Sequence, residues 1–337
     1  TLSVMYRGKD SEGNIQGGPM YVITEGLGKK YKPLAIFFCL AGVIGCLPLF
    51  QTNQLVQIIR EVIFLEEGWI TEDQVLTFNL SLGVILAMIV ATVIFGGLTR
   101  IANVASRLVP SMTIIYVGTV LYVLLTNISD VPHYLWLIVE DAFTGMAAAG
   151  GAIGTVIATG VRRGAFSNEA GIGTEAMAHG AAKTDEPVRE GLVAMIGPII
   201  DTLVICTATA LLILMTGAWH LDGVSGVTMT SHAFETALPG FGRYILIVCV
   251  FFFSVTTIFS YSYYGSKCLG FLIGAEHKHY YNYLIVVMTV VASILSLDAM
   301  VGLIDGAFAL MAIPTMTSAI ILAPKVMKAA RVYFDKL

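Results

Sequence analysis

Charge is what this sequence has least of. Asp, Glu, Lys and Arg make up 12% of its 337 residues, against 56% that are hydrophobic. So little charge cannot cover a soluble globule of this size, which excludes a soluble fold and leaves the bilayer as the main solvent. The formal net charge of −4 supplies no basic surplus for holding nucleic acid. Cysteine is also sparse. Cys39, Cys46, Cys206, Cys249 and Cys268 lie in or beside apolar stretches, with no repeated CxxC or Cys/His spacing, so they read as packing residues rather than a metal site. The chain opens without an initiator Met or a basic signal region, and residues 1–32 read as a loop. The expectation is a fragment or processed chain with material missing in front.

What is present is apolar length. Eight stretches predict membrane spans, at about 33–59, 74–95, 108–126, 142–161, 191–216, 243–265, 280–297 and 299–322. They predict an all-α polytopic protein with one membrane domain over residues 1–324 and a basic amphipathic tail over 325–337. Lys and Arg alternate between the loops. Arg7, Lys9, Lys29, Lys30 and Lys32 open the chain, Arg100 and Arg107 follow, then Arg162, Arg163, Lys183 and Arg189, then Lys267 and Lys278, then the tail with Lys325, Lys328, Arg331 and Lys336. The intervening loops hold only Arg60 and Arg243, and the first of them carries Glu61, Glu66, Glu67, Glu72 and Asp73. This pattern predicts a cell-membrane protein whose first loop and C-terminus are both cytoplasmic. The stretch 130–140, with Tyr134 and Trp136, suits an external helix lying along the interface.

Function in such a chain is sought in what is anomalous inside the membrane. The fourth span is dominated by Gly and Ala, with Gly150 and Gly151 near mid-depth. It is either a close-packing face or a broken helix that exposes backbone groups to a substrate or ion at the midplane. The first span carries Gln51, Thr52, Asn53, Gln54 and Gln57, whose burial demands partners: either other helices or a water-filled cavity. The sixth span clusters Ser254, Thr256, Thr257, Ser260 and Ser262 among aromatics, with Thr257 on the face of Tyr261 one turn later. Those hydroxyls are hard ligands suited to an alkali cation, or they bond their own helix. Asp201 and Asp305 are intramembrane carboxylates, functional or paired by default. Asp201 is expected to pair with Arg162, Arg163 or Arg189, and His179 to be a surface histidine.

These residues resemble the alanine or glycine:cation symporter family, also called sodium:alanine symporters. The likeness is carried by GGPMY at Gly17–Tyr21, Gln51 with Asn53, RRGAFSNEAGIGTEA at Arg162–Ala176, GPIIDTLVICTATALLILMTG at Gly197–Gly217, SYYG at Ser262–Gly265 and LMAIP at Leu310–Pro314. It runs the length of the chain, and the Arg-Gly-x-Phe-Ser-Asn-Glu-Ala-Gly stretch is highly specific. The resemblance implies an inverted-repeat, leucine-transporter-like fold of two five-helix halves, with the visible spans equivalent to helices three to ten and the first helices missing. It implies a transporter and no enzyme, taking up alanine or glycine with sodium by alternating access. It further implies that Thr256 and Thr257 ligate sodium, while Gln51, Phe143, Met146, Gly150, Gly151, Thr257 and Tyr261 line the substrate. The segment from Arg162 is expected to continue the fourth span on the cytoplasmic side, where Arg162, Arg163, Asn168 and Glu169 would form either an inner gate or an ordinary loop anchor. The family usually has Trp at the position of Tyr261 and Asn at that of Thr315. The alternatives are proton coupling in the same fold, a passive channel, or an intramembrane hydrolase built on Asp201 and Asp305. Against the last, the two carboxylates are expected near opposite faces, and neither sits in a Gly-x-Gly-Asp setting.

Overall fold

A computed structural model describes residues 1–144 and 153–336. Those residues are helical throughout, apart from short turns and one antiparallel pair of two-residue strands, β1 (Gly8–Lys9) and β2 (Ile15–Gln16). The opening 32 residues are therefore folded rather than a plain loop. Pro19 starts a helical turn that widens over Val22–Leu27 and buries Met20 and Ile23 completely, because apolar residues three apart share one face.

Thirteen α-helices of six residues or more carry the described chain: α1 (Lys32–Gly45), α2 (Leu49–Ile59), α3 (Val75–Ile94), α4 (Gly97–Thr126), α5 (Val131–Thr144), α6 (Ile153–Asn168), α7 (Thr174–His179), α8 (Pro187–Pro198), α9 (Thr207–Met215), α10 (Val227–Ala237), α11 (Gly242–Ile273), α12 (Tyr280–Ala292) and α13 (Leu297–Phe334). Six stretches among the described residues are long and apolar enough to cross a membrane: Lys29–Leu65, Glu72–Ile94, Thr99–Thr126, Pro187–Met215, Gly242–Ile273 and Leu297–Phe334. Two of the eight expected spans are not among them. The span at 280–297 is realised as α12, 13 residues long and so about 20 Å, short of a hydrocarbon core of about 30 Å. The span at 142–161 falls partly outside the described residues, between α5 and α6. The final span and the tail are one helix, which runs through Pro314 and Pro324 to Phe334.

The bundle packs α13 against α1, α11 against α1 and α4, and α12 against α3. Small residues set these approaches. A Cβ on Gly265 would meet the Tyr281 ring at 2.0 Å, so α11 and α12 can touch only with glycine there, and the Tyr281 hydroxyl then reaches the Val43 carbonyl at 2.9 Å. Pro198 removes an N–H from the helix beginning at α8, and the chain continues as a wide π turn over Ile199–Cys206 that holds Asp201. The outward faces carry large apolar residues such as Ile114, Leu203 and Ile320, as a lipid-facing surface requires.

Candidate functional site

Three groups of polar side chains meet inside this bundle, and each is satisfied differently. On α2 the amides of Asn53, Gln54 and Gln57 find other helices. Asn53 Nδ2 donates to the carbonyls of Leu295 (2.9 Å) and Ala292 (3.3 Å), which closes the C-terminal end of α12. Gln54 accepts from the Val227 N–H at the start of α10, and Gln57 donates toward Glu61 and Thr228. Interhelical bonding thus accounts for these three. It does not account for their neighbours: among the described residues, Gln51 Oε1 and Thr52 Oγ1 are buried without a partner. An unsatisfied buried amide oxygen costs about 1–3 kcal/mol, so it marks a place where something else can supply a donor.

On α11 the hydroxyls turn to their own helix. Thr256, 4% exposed, donates to the carbonyls of Phe252 (2.7 Å) and Phe253 (3.2 Å), Ser260 to Thr256 and Ser262 to Phe259. Each oxygen keeps lone pairs for a further contact, so back-bonding is compatible with ligating a cation. Thr257 is half-buried and shares the face of Tyr261.

The Tyr261 hydroxyl donates to Glu169 Oε1 at 2.6 Å, and Thr174 donates to Glu169 Oε2. Glu169 opens a break between α6 and α7, with φ 55° there and positive φ at Gly171 and Gly173. Gly173 is required twice over. Its φ of 111° disfavours other residues, and a Cβ would meet Pro19 and Phe38 within 2.8 Å. Thr315 on α13 donates to the Ile172 carbonyl at 3.1 Å. The two positions noted as departures, Tyr261 and Thr315, therefore contact one unwound segment. Neither Glu169 as the partner of Tyr261 nor Thr315 was legible beforehand; the Gly-Ile-Gly run after Glu169 was the available signal of a break.

The carboxylates correct the sequence reading. Arg163 pairs with Asp305, and Arg162 approaches the same oxygen at 3.9 Å. Among the described residues Asp201 has no arginine partner; it accepts from Ser167 (2.6 Å) and Thr202 (3.3 Å). Asp305 and Asp201 thus both bond to α6 within four residues, about 6 Å along its axis, and do not lie at opposite faces. The reason is that α6 continues through Arg162 and Arg163 to Asn168, so one helix carries the partners of both carboxylates. Asp305 stands about 12 Å from the start of α13 and about 30 Å from Lys325, so these two arginines do not share the level of the tail lysines. A hydrolytic dyad needs carboxyls that share a proton. Here one is ion-paired and the other is bonded by hydroxyls. Asn168 donates to Thr202 at 3.2 Å. His179 is not a free surface residue: its Nδ1 lies 2.6 Å from Glu190 and its Nε2 3.5 Å from Glu175. Glu175, then Glu190, hold its pKa above the ordinary value against the opposing effect of burial.

Of the residues implied for substrate, the structure places Gln51 on α2 and Thr257 and Tyr261 on α11, two helices in contact. Phe143 lies in the last described turn of α5; Met146, Gly150 and Gly151 lie outside the described residues. Phe166 of α6 packs edge-on to Phe50, beside Gln51, at 5.3 Å. Among the described residues, no three His, Cys, Asp or Glu side chains gather to hold a metal ion.

With this geometry in place, comparison with known proteins gives a single answer. The profile of the sodium:alanine symporter family matches residues 1–337. An uncharacterized transporter of Haemophilus influenzae is 36% identical over 350 residues, covering 100% of this chain and 73% of that protein. The sodium/alanine symporter AgcS of Methanococcus maripaludis is 32% identical, covering 98% and 72%. The probable sodium/glutamine symporter GlnT of Bacillus subtilis is 36% identical over 272 residues, covering 81% and 54%. The chain belongs to the sodium:alanine symporter family.

Proposed function

We propose that this member of the sodium:alanine symporter family is a secondary active transporter that takes up alanine or glycine with sodium by alternating access, on an inverted-repeat fold of two five-helix halves. The observation that carries the reading is Gln51, whose amide oxygen is buried with no partner among the described residues while the neighbouring amides are all bonded. That oxygen is an acceptor suited to the ammonium of an amino acid. Thr257 and Tyr261 stand on the helix facing α2, and with Phe143, Met146, Gly150 and Gly151 they complete the substrate-lining set. The hydroxyl oxygens of Thr256 and Thr257 are the hard ligands for sodium.

Sodium bound at Thr256 and Thr257 would order α11 and so raise affinity for the amino acid, the reciprocal coupling that symport requires. Tyr261 adds a link from the pocket wall to Glu169, at the break between α6 and α7. Occupancy at the wall is thereby felt by the segment whose movement opens the inner side. In this scheme Arg162 and Arg163 anchor α6 to α13 through Asp305, while Asn168 and Glu169 take the gating role. The opening loop and the C-terminus face the cytoplasm.

The test is uptake of radiolabelled alanine into proteoliposomes holding the full-length protein. Uphill accumulation that collapses without a sodium gradient is expected, with Thr257→Ala weakening the sodium dependence. Flux that only equilibrates would mean a channel. Accumulation driven by a proton gradient alone would mean the proton-coupled alternative, for which the half-buried carboxyl of Glu169 is the group to examine. Glutamine, named for one relative, serves as the competing substrate.

A further inference from the structure

The last turns of α13 frame a cavity that the transport reading does not use. α13 is 38 residues long, about 57 Å, and Lys325 stands about 42 Å from its start, beyond the reach of a hydrocarbon core of about 30 Å. At that level a cavity of about 470 Å³ opens between the tail, Met5 and Tyr6 of the opening segment, and Glu186 at the start of α8. Lys325, Lys328 and Lys336 line it, together with Val332 and Tyr333. Lys325, Lys328, Val332 and Tyr333 fall within one broad face of α13, and Lys336 follows in the turn just past its end at Phe334.

The lysines outnumber the acid that lines the cavity with them, three to one. Among the described residues none of the three enters an ion pair; Lys325 lies 5.5 Å from the centre of the Tyr6 ring, a contact that leaves its charge in place. Lys278, by contrast, reaches Glu12, and Lys267 donates to the carbonyls of Gly17 and Met177. The one acid in the lining, Glu186, also caps α8 by accepting from the Val188 N–H; it offsets one of the three charges and leaves the lining net positive. Three ammonium groups around one space repel one another unless an anion lies between them.

A second observation identifies the kind of anion. Ile321 precedes Lys325 by one turn on the same face and is 52% exposed, and Ile320 is 71% exposed beside it. Leu310 and Ile313 continue this exposed apolar strip toward mid-membrane. A ligand that satisfies both parts has a negative head at the level of the lysines and acyl chains along the strip. Tyr333, on the same cavity wall about 12 Å farther along the helix, is a residue type that favours the headgroup layer.

We propose that this cavity is a binding site for an anionic phospholipid, its phosphodiester held by Lys325, Lys328 and Lys336 and its acyl chains lying along Leu310–Ile321 of α13. The site is independent of the substrate pathway, so its test does not rest on transport.

The full-length protein, purified in mild detergent, is titrated with dioleoyl phosphatidylglycerol or dioleoyl phosphatidylcholine and observed by native mass spectrometry. Retention of phosphatidylglycerol with roughly tenfold preference over phosphatidylcholine is expected. The triple variant K325Q/K328Q/K336Q loses that preference, and the corresponding arginine variant keeps it. K328Q alone, a single change at the cavity edge, gives a partial loss and serves if the triple variant does not fold. Equal retention of the two lipids by the parent protein, or an unchanged preference in the folded glutamine variants, overturns the proposal. Displacement of phosphatidylglycerol by millimolar inorganic phosphate also overturns it, because the site would then take a free anion.

Discussion

The polar run of α2 and the hydroxyl run of α11 face the same problem, polar atoms inside a membrane bundle, and solve it differently. A Thr or Ser hydroxyl reaches the carbonyl one turn back, so Thr256, Ser260 and Ser262 are satisfied before any other helix arrives. A Gln or Asn amide carries two donors and an acceptor and needs partners from outside its helix. Asn53 and Gln54 obtain them from α12 and α10, while Gln51 does not. An unpartnered amide is therefore informative about ligands in a way that a back-bonded threonine is not.

The comparison can be broken at several points. The largest effect is expected at Asn53→Ala, which frees two carbonyls at the end of α12 and should cost about 2–3 kcal/mol in thermal or denaturant unfolding of the purified protein. Retained stability would mean that water closes that helix end as well as the amide does. Next in size is Gln51→Leu. Removing an oxygen with no partner should leave the substrate-free protein as stable as before or slightly more so, while weakening alanine binding by tenfold or more, about 1.4 kcal/mol. A parallel fall in stability and binding would return Gln51 to the structural class of Asn53. Smaller again is Thr256→Val. A back-bonded hydroxyl lost to an isosteric methyl should cost under about 1 kcal/mol, yet sodium activation of uptake should weaken. Unchanged sodium activation would remove Thr256 from the cation site.

The smallest effect extends the contrast to a group whose satisfaction depends on pH. The folded-state pKa of His179 is raised, with Glu175 first and Glu190 second favouring the charged ring. The stability this contributes is fully present below about pH 6.5 and is lost as pH rises through the higher folded-state value. His179→Gln should flatten the thermal midpoint against pH over that window, relative to the parent protein. An identical pH profile in the two proteins would show that the clamp from α7 to α8 adds nothing.

Much of the architecture was legible without coordinates, because span length and hydrophobicity are local properties. The amphipathic α5 and the unusual polar content of α2 and α11 followed from the same kind of reading. The motif at Arg162–Ala176 marked the family, which the match across residues 1–337 bears out. Pairing between distant residues was not legible. Asp201 was assigned an arginine and has hydroxyls instead, while Asp305 has the arginine. Which carboxylate a guanidinium meets depends on how far α6 extends past Arg162, and helix ends are weakly encoded.

The sequence alone determined the solvent, the helical class, the family and the residues in need of explanation. Composition and periodicity act within a few turns of one helix, and burial in lipid forces every backbone group into such helices. Only the tertiary structure decided which of those polar residues are spoken for. It gave Asn53, Gln54 and Gln57 to neighbouring helices, tied Tyr261 and Thr315 to the break after Glu169, and left Gln51 unbonded. Whether an amide has a partner is a fact about a second segment of chain, and no window on the first can contain it.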